Sequence, residues 1–331
     1  MNLLVTGAAG FIGSHLVDAL LAAGHYVIGL DSFTDYYERS RKQANLAEAQ
    51  KRAPFRLSEA DLNAADLTEL LAEIDLVYHL AGQPGVRGSW GSRFDVYVRN
   101  NVLATQRLLE AALTAGKVPV VYASSSSVYG DLTTMPLQED MAPAPISPYG
   151  VTKLAAEHLC RLYSAVHGLP TISLRLFTVY GPRQRPDMAF QRFLTALRDG
   201  REITVYGDGN QTRDFTYVGD VVQAFVLAGQ ACRDGRGVGG VFNIAGGTRA
   251  SLRHVLQTME AVTGYRLKVR YAPVQPGDVH DTWADTSRAE TVLGFRPQTS
   301  LMDGLRAHWK AVNSEEPVAQ SVSIPTGHHH A

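Results

Sequence analysis

The sequence has few cysteines, no excess of charge of either sign and no long apolar run. Two cysteines in 331 residues are too few for a disulfide-stapled secreted fold or a structural zinc site, so we expect a reducing, cytoplasmic location. With 31 basic against 32 acidic residues, no overall field attracts nucleic acid or an anionic membrane. No apolar stretch reaches the roughly 18 residues of a transmembrane helix. These absences favour a globular protein that binds anions only locally.

Short strands rich in β-branched residues alternate with segments of helical periodicity, a pattern typical of parallel βαβ units. The candidate strands cover residues 2–6, 25–31, 54–58, 75–81, 118–124 and 171–177. The candidate helices cover residues 12–23, 100–115 and 151–167. Strands that are apolar along nearly their whole length indicate burial on both faces. The sequence therefore predicts an α/β fold, a Rossmann-type doubly wound parallel sheet with a smaller C-terminal substrate-binding α/β lobe.

The pattern changes after about residue 178, where glycines and prolines mark a long loop. We expect a first domain of residues 1–178 and about 217–247, the second piece adding a helix near 218–231 and a strand near 241–245. Residues of about 179–216 and 248–316 then form the second lobe. Residues 317–331 are expected to be a tail whose terminal histidines are a tag remnant.

A glycine-rich turn, Gly7-x-x-Gly10-x-x-Gly13, joins the first predicted strand to the first predicted helix. Glycines here permit a tight turn and close approach of the backbone to a pyrophosphate, whose charge the helix N-terminus stabilises. Asp31 ends the second predicted strand, where a carboxylate binds adenosine ribose hydroxyls and repels a 2′-phosphate. The pattern predicts NAD rather than NADP. The alternative is an ordinary βα turn with an incidental aspartate.

Two further stretches are expected at the same cleft, because ligands of open α/β sheets lie beyond the carboxyl ends of the strands. Asp61 and Leu62 follow the third predicted strand, where they are expected to meet the adenine. Leu80, Ala81 and Gly82 follow the fourth, where small residues let a cofactor pass close to the backbone. Taken alone, each stretch is typical of an ordinary loop.

Tyr149 and Lys153 are four residues apart, so both project from one face of the same helix start. A phenol with a pKa of ~10 is a poor base at neutral pH, but a neighbouring cation and a helix N-terminus stabilise its anion. Four serines at positions 124–127 end the fifth predicted strand, which points their hydroxyls at the same crevice. Alone, these features describe a solvated helix face and a polar loop. Together they predict general acid-base chemistry.

These motifs together resemble the extended short-chain dehydrogenase/reductases that act on nucleotide sugars, in the NAD-dependent epimerase/dehydratase family. The resemblance covers nearly the whole chain and rests on the glycine turn, the serine run and the Tyr149/Lys153 pair. Residues 175–182, 185–189 and 207–215 most resemble UDP-glucuronate and UDP-glucose 4-epimerases. The resemblance implies an NAD-dependent UDP-sugar 4-epimerase that forms a homodimer through the helices around 100–115 and 151–167.

The resemblance also implies roles for residues at matching positions. Tyr149 would take the proton of the sugar 4-hydroxyl, Lys153 would hold the nicotinamide ribose and lower the pKa of Tyr149, and Ser125 would hydrogen-bond the reacting oxygen. The sugar, oxidised at carbon 4, would turn over in the site and be reduced on its other face. The expected cofactor contacts are Gly7, Gly10, Phe11, Ile12, Gly13, Asp31, Ser32, Asp61, Leu62, Leu80, Ala81, Gly82, Asn100, Tyr149, Lys153 and Phe177.

Substrate contacts are implied in the same way. Arg213 matches a diphosphate ligand, Asp278 a ligand of the uridine ribose and Tyr206 a position near the uracil. Arg185 matches a residue near the sugar carboxylate of glucuronate epimerases, and Arg87 lies in a similar loop. For both of these arginines, the alternative is an ion pair with a nearby acid. The full expected set is Arg87, Ser125, Ser126, Ser127, Thr178, Arg185, Met188, Tyr206, Arg213 and Asp278.

Two other functions stay open at this point. Related dehydratases carry an Asp-Glu pair directly after the residue matching Ser125, and related decarboxylases carry a glutamate at the position of Ser127. Here Ser126 and Ser127 stand in those places, which favours epimerisation, although a carboxylate from elsewhere would restore a dehydratase. The alternative of another class is a non-catalytic NAD-binding sensor, and the complete Tyr149/Lys153 pair argues against it.

Two further expectations concern the identity of the nucleotide and the binding of metals. Gln275 stands where galactose-type epimerases carry a second diphosphate arginine, so a nucleotide diphosphate is implied more firmly than UDP itself. Eleven histidines are present, but no pair falls at helical ligand spacing beside a carboxylate, so the sequence predicts no metal site.

Overall fold

The computed structural model describes residues 1–274 and 279–314. Its strands are β1 (Asn2–Thr6), β2 (Tyr26–Asp31), β3 (Phe55–Glu59), β4 (Leu76–His79), β5 (Val120–Ser125), β6 (Thr171–Leu176), β7 (Val179–Tyr180), β8 (Glu202–Tyr206), β9 (Thr212–Asp214), β10 (Thr216–Tyr217), β11 (Val241–Ile244), β12 (Arg249–Ser251) and β13 (Lys268–Ala272). Its α-helices are α1 (Phe11–Ala22), α2 (Arg39–Leu46), α3 (Leu67–Leu71), α4 (Phe94–Tyr97), α5 (Ala104–Thr114), α6 (Pro148–His167), α7 (Ala189–Arg198), α8 (Val218–Arg233), α9 (Leu252–Thr263), α10 (Ser287–Leu293) and α11 (Leu301–Ser314).

Seven parallel strands form the main sheet, in the order β11-β6-β5-β4-β1-β2-β3. Every residue of β4 and β5 is buried, as expected for strands covered on both faces. The strand order reverses between β1 and β4, which places the topological switch point, and the ligand crevice it creates, at the carboxyl ends of these strands. The Rossmann-type doubly wound fold predicted from the sequence is confirmed.

Helices cover both faces of the sheet and form two apolar cores. On one face, α1, α8 and α10 pack against β1, β6 and β11, around residues such as Leu16 and Phe225. On the other face, α3, α5 and α6 pack against β4 and β5, around residues such as Leu108. Cys160 and Cys232 are both buried, and neither forms a disulfide.

Two helix boundaries differ from those predicted, and both matter for the site. Helix α6 begins at Pro148 rather than at 151, because the Ser147 hydroxyl accepts a hydrogen bond from the Gly150 N–H at 3.1 Å and caps the helix. Proline suits the first turn, where its missing N–H leaves no bond unmade. The helix expected over 100–115 begins at Phe94 and is interrupted by a π-helical turn at Val98–Leu103.

The remaining elements pack beside the carboxyl edge of the main sheet. Strand β8 pairs in parallel with β13, and β9 pairs antiparallel with β12. Helices α7, α9 and α11 enclose a separate apolar core that includes Phe193, Met259 and Leu305. Between these segments the chain returns to the main sheet, where β11 pairs with β6 and α8 packs on α1. None of the helices described has both the length and the apolar character that crossing a membrane requires.

Candidate active site

The glycine turn between β1 and α1 is closely packed against the loop that follows β4. Gly7 has a φ of 70°, and a Cβ there would lie 2.8 Å from the Ala81 nitrogen. A Cβ on Gly13 would lie 2.1 Å from the Gly7 carbonyl oxygen, which is part of rigid backbone. Glycine is therefore required at both positions, and the turn presents backbone N–H groups and the α1 N-terminus to the crevice.

Asp31, at the end of β2, is held in place by the backbone. Its carboxylate accepts hydrogen bonds from the N–H groups of Ala9 at 3.1 Å and Phe33 at 2.8 Å. The Lys42 ammonium, which the sequence did not suggest, lies 3.9 Å away and donates to the Thr34 carbonyl at 2.9 Å. Burial lowers the pKa of Lys42, and the charge of Asp31 opposes this shift. The strand-end carboxylate is thus oriented beside the crevice, as recognition of ribose hydroxyls requires.

A cavity of about 500 Å³ runs along the carboxyl ends of β1, β2, β4 and β5. This is the size range of cofactor pockets. The residues expected from the sequence that line it are Gly7, Gly10, Phe11, Ile12, Gly13, Asp31, Ser32, Asp61, Leu62, Leu80, Ala81, Gly82, Asn100, Ser125, Ser126, Ser127, Tyr149, Lys153, Phe177, Thr178, Arg185 and Met188. One cavity therefore brings together residues from distant parts of the chain.

Tyr149 and Lys153 lie on the first two turns of α6 and face this cavity. Burial lowers the pKa of Lys153 to about 8, an effect that Cys160 and Glu157 oppose. The Lys153 ammonium also lies 4.6 Å from the centre of the Tyr122 ring, in cation–π contact. Below pH 8 the ammonium is therefore charged although it is buried.

The pKa of Tyr149 differs from the expectation that Lys153 lowers it. Burial raises the pKa of Tyr149, and the opposing effects come from its hydrogen bond with Ser125 and from the charge of Arg185. Burial outweighs these two opposing effects because a buried phenolate loses more hydration free energy than a buried phenol. In this structure, Ser125 and Arg185 are the groups that favour the basic form of Tyr149.

Ser125 is placed by the strand end and by the turn that follows it. It is the last residue of β5, and its hydroxyl accepts a hydrogen bond from the Ser127 N–H at 3.1 Å. This contact starts a short 3₁₀ turn that carries Ser126 and Ser127 along the cavity wall. The Ser125 hydroxyl is therefore held at the wall of the cavity that Tyr149 also lines.

A buried ion pair lies beneath these residues. Glu157, one turn after Lys153 on α6, is fully buried and accepts hydrogen bonds from Arg175 Nε at 3.0 Å and Nη2 at 2.7 Å. The Ser124 hydroxyl donates to the same carboxylate at 2.8 Å. Arg175 itself lies 4.6 Å from the centre of the Tyr129 ring. The pair ties β5, β6 and α6 together directly behind the cavity.

The π-helical turn at Val98–Leu103 places a second residue that the sequence did not suggest. Asn101 accepts a hydrogen bond from the Gln83 N–H at 2.6 Å, and its amide donates to the Gln83 carbonyl at 3.1 Å and to the Thr152 hydroxyl at 3.0 Å. It therefore joins the loop after β4 to the helix of Tyr149, while Asn100 faces the cavity. Such π turns are frequent at functional sites.

The expected substrate contacts form two groups. Arg185 lines the cavity and makes a two-bond ion pair with Asp187, at 3.0 Å from both Nε and Nη2. Arg87 does not line it, and its guanidinium lies 4.8 Å from the centre of the Tyr206 ring. Arg213 donates hydrogen bonds to the backbone carbonyls of residues 212, 279 and 280. The predicted contact Asp278, and Gln275, lie outside the described residues.

Histidines and acids are dispersed within the described parts of the chain. Across residues 1–274 and 279–314, no three His, Cys, Asp or Glu side chains come together as metal ligands would. His79 is buried between the hydroxyls of Thr6 at 2.7 Å and Thr105 at 2.9 Å, and burial lowers its pKa to about 3. This histidine is therefore a neutral core residue.

Comparison with known proteins supplies the family. Residues 3–245 match the model of the NAD dependent epimerase/dehydratase family. The chain belongs to this family. A Bacillus subtilis relative, described as an uncharacterized UDP-glucose epimerase, is 43% identical over 307 residues, which cover 92% of this chain and 96% of the relative.

Solved structures of similar proteins match this epimerase/dehydratase chain over most of its length. A UDP-glucuronic acid 4-epimerase from Bacillus cereus, in complex with UDP-glucuronic acid and NAD, is 42% identical with a TM-score of 0.89, and the match covers 94% of this chain and 99% of that one. MoeE5, in complex with UDP-glucuronic acid and NAD, is 43% identical with a TM-score of 0.84, and the match covers 94% and 98%.

The residues of this epimerase/dehydratase chain fit the cofactor that its family uses. The glycine turn leaves no room for a Cβ, the α1 N-terminus faces the crevice, and Asp31 stands at the end of β2. These features suit a pyrophosphate and an adenosine ribose without a 2′-phosphate. The cavity then continues past the glycine turn to Tyr149 and Lys153.

Proposed function

We propose that this chain is an NAD-dependent nucleotide-sugar 4-epimerase acting on a UDP-sugar. The observation that carries the proposal is that Ser125, Tyr149 and Lys153 line one end of a cavity whose other end is the glycine turn. A tunable acid-base group beside a dinucleotide site suits reversible oxidation of an alcohol. The similarity to a UDP-glucuronic acid 4-epimerase supports the same reaction.

Bound NAD supplies the reversible oxidation of the sugar C4 alcohol to a ketone and back. Tyr149 removes the proton of the 4-hydroxyl and later returns a proton to the same oxygen on the other face of the sugar. Ser125 donates a hydrogen bond that orients this oxygen and favours the phenolate. Lys153, charged below a pKa of about 8, holds the nicotinamide ribose. The protein thus contributes orientation, desolvation and one exchangeable proton.

The acids along the cavity favour epimerisation over elimination of water. Among its lining residues, the carboxylates are Asp31, which ends β2, and Asp61, which follows β3, both at the adenosine end. Ser126 and Ser127 occupy the wall beside Ser125. Since elimination needs a carboxylic acid or carboxylate next to the sugar, a lining of hydroxyls there supports the simpler chemistry of Tyr149.

We infer that residues 1–178 and about 217–247 form the NAD-binding domain, and that about 179–216 and 248–316 form the nucleotide-sugar lobe. Arg87 and Tyr206 stack across these two units, and Arg213 lies on β9 of the second. An arginine that donates two parallel hydrogen bonds suits a diphosphate, and an aromatic ring suits a base. The match of Asp278 to a uridine ribose ligand adds support from the sequence.

We propose that the sugar carries a carboxylate at carbon 6. Arg185 brings a guanidinium to the wall of the cavity that the serines at the end of β5 also line, and its charge acts on Tyr149. Such a group suits a uronic acid, since a carboxylate accepts two parallel hydrogen bonds from a guanidinium. Two similar solved structures hold UDP-glucuronic acid, which supports the same sugar class.

We also propose a cytoplasmic homodimer that pairs through α5 and α6. Val151, Leu162 and Val166 lie along one face of α6 and are 47%, 54% and 65% exposed. Leu103, at the end of the π turn on the neighbouring helix, is 47% exposed. A second copy of this chain presents the same apolar face, which suits a two-fold interface. The two buried unpaired cysteines suit a reducing compartment.

Product analysis tests the function directly. The protein is incubated separately with UDP-glucuronate, UDP-glucose, UDP-galactose and UDP-N-acetylglucosamine, and the products are resolved by proton NMR. We expect inversion at C4 of UDP-glucuronate. Absence of any C4 epimer would refute the proposal, and release of water with a 4-keto-6-deoxy product would identify a dehydratase. A sensor would give no product and no change in reduced-nicotinamide absorbance.

Light scattering tests the dimer. Leu162→Glu places a charge in the exposed apolar face of α6 and is expected to give a monomer, because a carboxylate buried in an apolar interface is strongly unfavourable. Arg161→Glu, which changes the neighbouring residue, serves as the control. A wild-type monomer at micromolar concentration would contradict the proposal.

A further inference from the structure

The guanidinium of Arg185 is held between two loops at the mouth of the cavity. Asp187, two residues later, accepts hydrogen bonds from Nε and Nη2, each at 3.0 Å. Tyr36, in the loop after β2, places its ring 5.6 Å from the guanidinium and donates a hydrogen bond to Asp187 at 3.3 Å. The three side chains form a small unit, the Arg185–Asp187–Tyr36 cluster, that connects the two loops.

The hydrogen bonds of this cluster use only one edge of the guanidinium. Asp187 occupies the Nε and Nη2 edge, and within the described residues Nη1 donates no hydrogen bond to the protein. The Arg185 side chain is 18% exposed and lines the cavity, whereas Asp187 is 44% exposed and is not among the lining residues. Asp187 therefore approaches from the outer side, and the Nη1–Nη2 edge remains for a second carboxylate.

The stabilising effect of this ion pair on the fold is small. Ion pairs with one partner this exposed contribute little to stability, because water screens them and two long side chains lose conformational freedom. The orientation that it imposes is substantial, since two parallel hydrogen bonds fix the plane of the guanidinium. The ring of Tyr36 limits the same group from another element. The arrangement suits a role in positioning Arg185 better than a role in stability.

We propose that Asp187 is a positioning residue that sets the preference of the enzyme for acidic sugars, by holding Arg185 with its Nη1–Nη2 edge turned to the sugar carboxylate. Tyr36 assists by supporting both side chains. The inference rests on the proposed epimerase function. It adds that a residue outside the cavity controls which C6 substituent is accepted.

Steady-state kinetics with UDP-glucuronate and UDP-glucose test the proposal. In Asp187→Ala, kcat/KM for UDP-glucuronate is expected to fall about tenfold to a hundredfold, as for other misplaced binding groups, mainly through KM. For UDP-glucose the same variant is expected to stay within about twofold of the wild type, because its C6 hydroxyl has no charge to pair with Arg185. Asp187→Asn, which keeps one acceptor oxygen, is expected to lie between the two.

Two further variants separate positioning from a general disturbance. Tyr36→Phe keeps the ring but removes the hydroxyl that reaches Asp187, so a smaller loss with UDP-glucuronate is expected. Asp234→Asn is the matched control: Asp234 also pairs with an arginine two positions away in the chain, Arg236, at 3.4 Å, on an exposed surface at the end of α8. Its kinetics are expected to equal those of the wild type.

The outcomes distinguish the two proposals. If the wild type forms no C4 epimer of any UDP-sugar, the proposed function itself fails. If it epimerises UDP-glucose but not UDP-glucuronate, the epimerase stands and the role of Asp187 is overturned. An unchanged ratio of the two kcat/KM values in Asp187→Ala, or a ratio that rises for UDP-glucuronate, also overturns it. A selective rise in KM for UDP-glucuronate supports it.

Discussion

The two ends of the cavity are built in different ways. At the dinucleotide end, the walls are backbone: the glycine turn, the loop after β4 and the strand-end Asp31, which two N–H groups hold. At the sugar-nucleotide end, the wall includes the long side chain of Arg185, which Asp187 pairs from outside the cavity, and Arg87 stacks on Tyr206 beyond this wall. Tyr149 lies where the two ends meet.

This difference indicates how each end tolerates change. A Cβ built at Gly7 or Gly13 would lie 2.8 Å or 2.1 Å from the nearest backbone atom, and this tightly packed backbone has no room to accept a methyl group. Long side chains in ion pairs and cation–π contacts exchange partners at a cost of about 0.5 to 1 kcal/mol when exposed. We therefore expect one cofactor but an adaptable sugar preference, and large effects of substitution at the dinucleotide end.

The largest effect is expected at the junction of the two ends. Tyr149→Phe removes the proposed acid-base group, so turnover is expected to fall by about 10² to 10⁴. NAD affinity, measured by calorimetry, is expected to change little, because the phenyl ring retains its packing. Tyr163→Phe, on the same helix with its hydroxyl bound to Gln106 and Glu110, is the control. Normal turnover in Tyr149→Phe would refute the assignment of the base.

The second-largest effect is expected at the dinucleotide end. Gly7→Ala places a methyl group 2.8 Å from the Ala81 nitrogen, so NAD affinity is expected to fall about a hundredfold as the turn shifts. Gly116→Ala is matched because Gly116 also has a positive φ, of 97°, but has nothing within 4 Å of its Cβ position. Calorimetric titration with NAD, after circular dichroism confirms folding, measures both. Equal NAD affinity in the two variants would contradict a backbone-built site.

A smaller effect concerns the pH dependence of turnover. The hydrogen bond from Ser125 lowers the pKa of Tyr149, so Ser125→Ala raises it. Since the proposed base is the phenolate, activity is expected to increase as pH rises through this pKa, and the rising limb to move to higher pH. Turnover at pH 7 is expected to fall about tenfold. Ser124→Ala, whose hydroxyl bonds Glu157 instead, leaves the limb in place; a pH-rate profile compares them.

The smallest effect is expected at the outer part of the sugar-nucleotide end. Arg87→Gln removes the guanidinium that stacks on Tyr206, so KM for the UDP-sugar is expected to rise about twofold to fivefold with kcat unchanged. Arg288→Gln is the control, since Arg288 stacks on Phe242 outside the cavity. A loss of kcat as large as that in Tyr149→Phe would remove the distinction between the two ends.

The parts of the molecule that the sequence predicts best are those with local patterns. Most of strand β5 is apolar, since both of its faces are buried. Gly7 and Gly13 are recognisable in the sequence because close backbone contacts leave no room for a side chain at either position. Asn101 was missed because a π turn has no sequence pattern of its own. Lys42 was missed because its contact with Asp31 depends on how α2 packs, which no short motif encodes.

The substrate residues show the same limit. The sequence left open whether Arg185 binds a sugar or pairs with an acid, and the structure pairs it with Asp187 while leaving it in the cavity wall. Arg87 and Tyr206 are far apart in the chain, so only the fold brings their side chains into contact. Side-chain pairing across loops is a tertiary property, and sequence alone yields candidates for it.

The buried Glu157–Arg175 pair has a consequence for the placement of the catalytic helix. Either charge, enclosed without its partner, would cost several kcal/mol, so the native docking of α6 depends on β6. Removal of one charge is therefore expected to disturb the position of Tyr149, although neither Glu157 nor Arg175 lines the cavity.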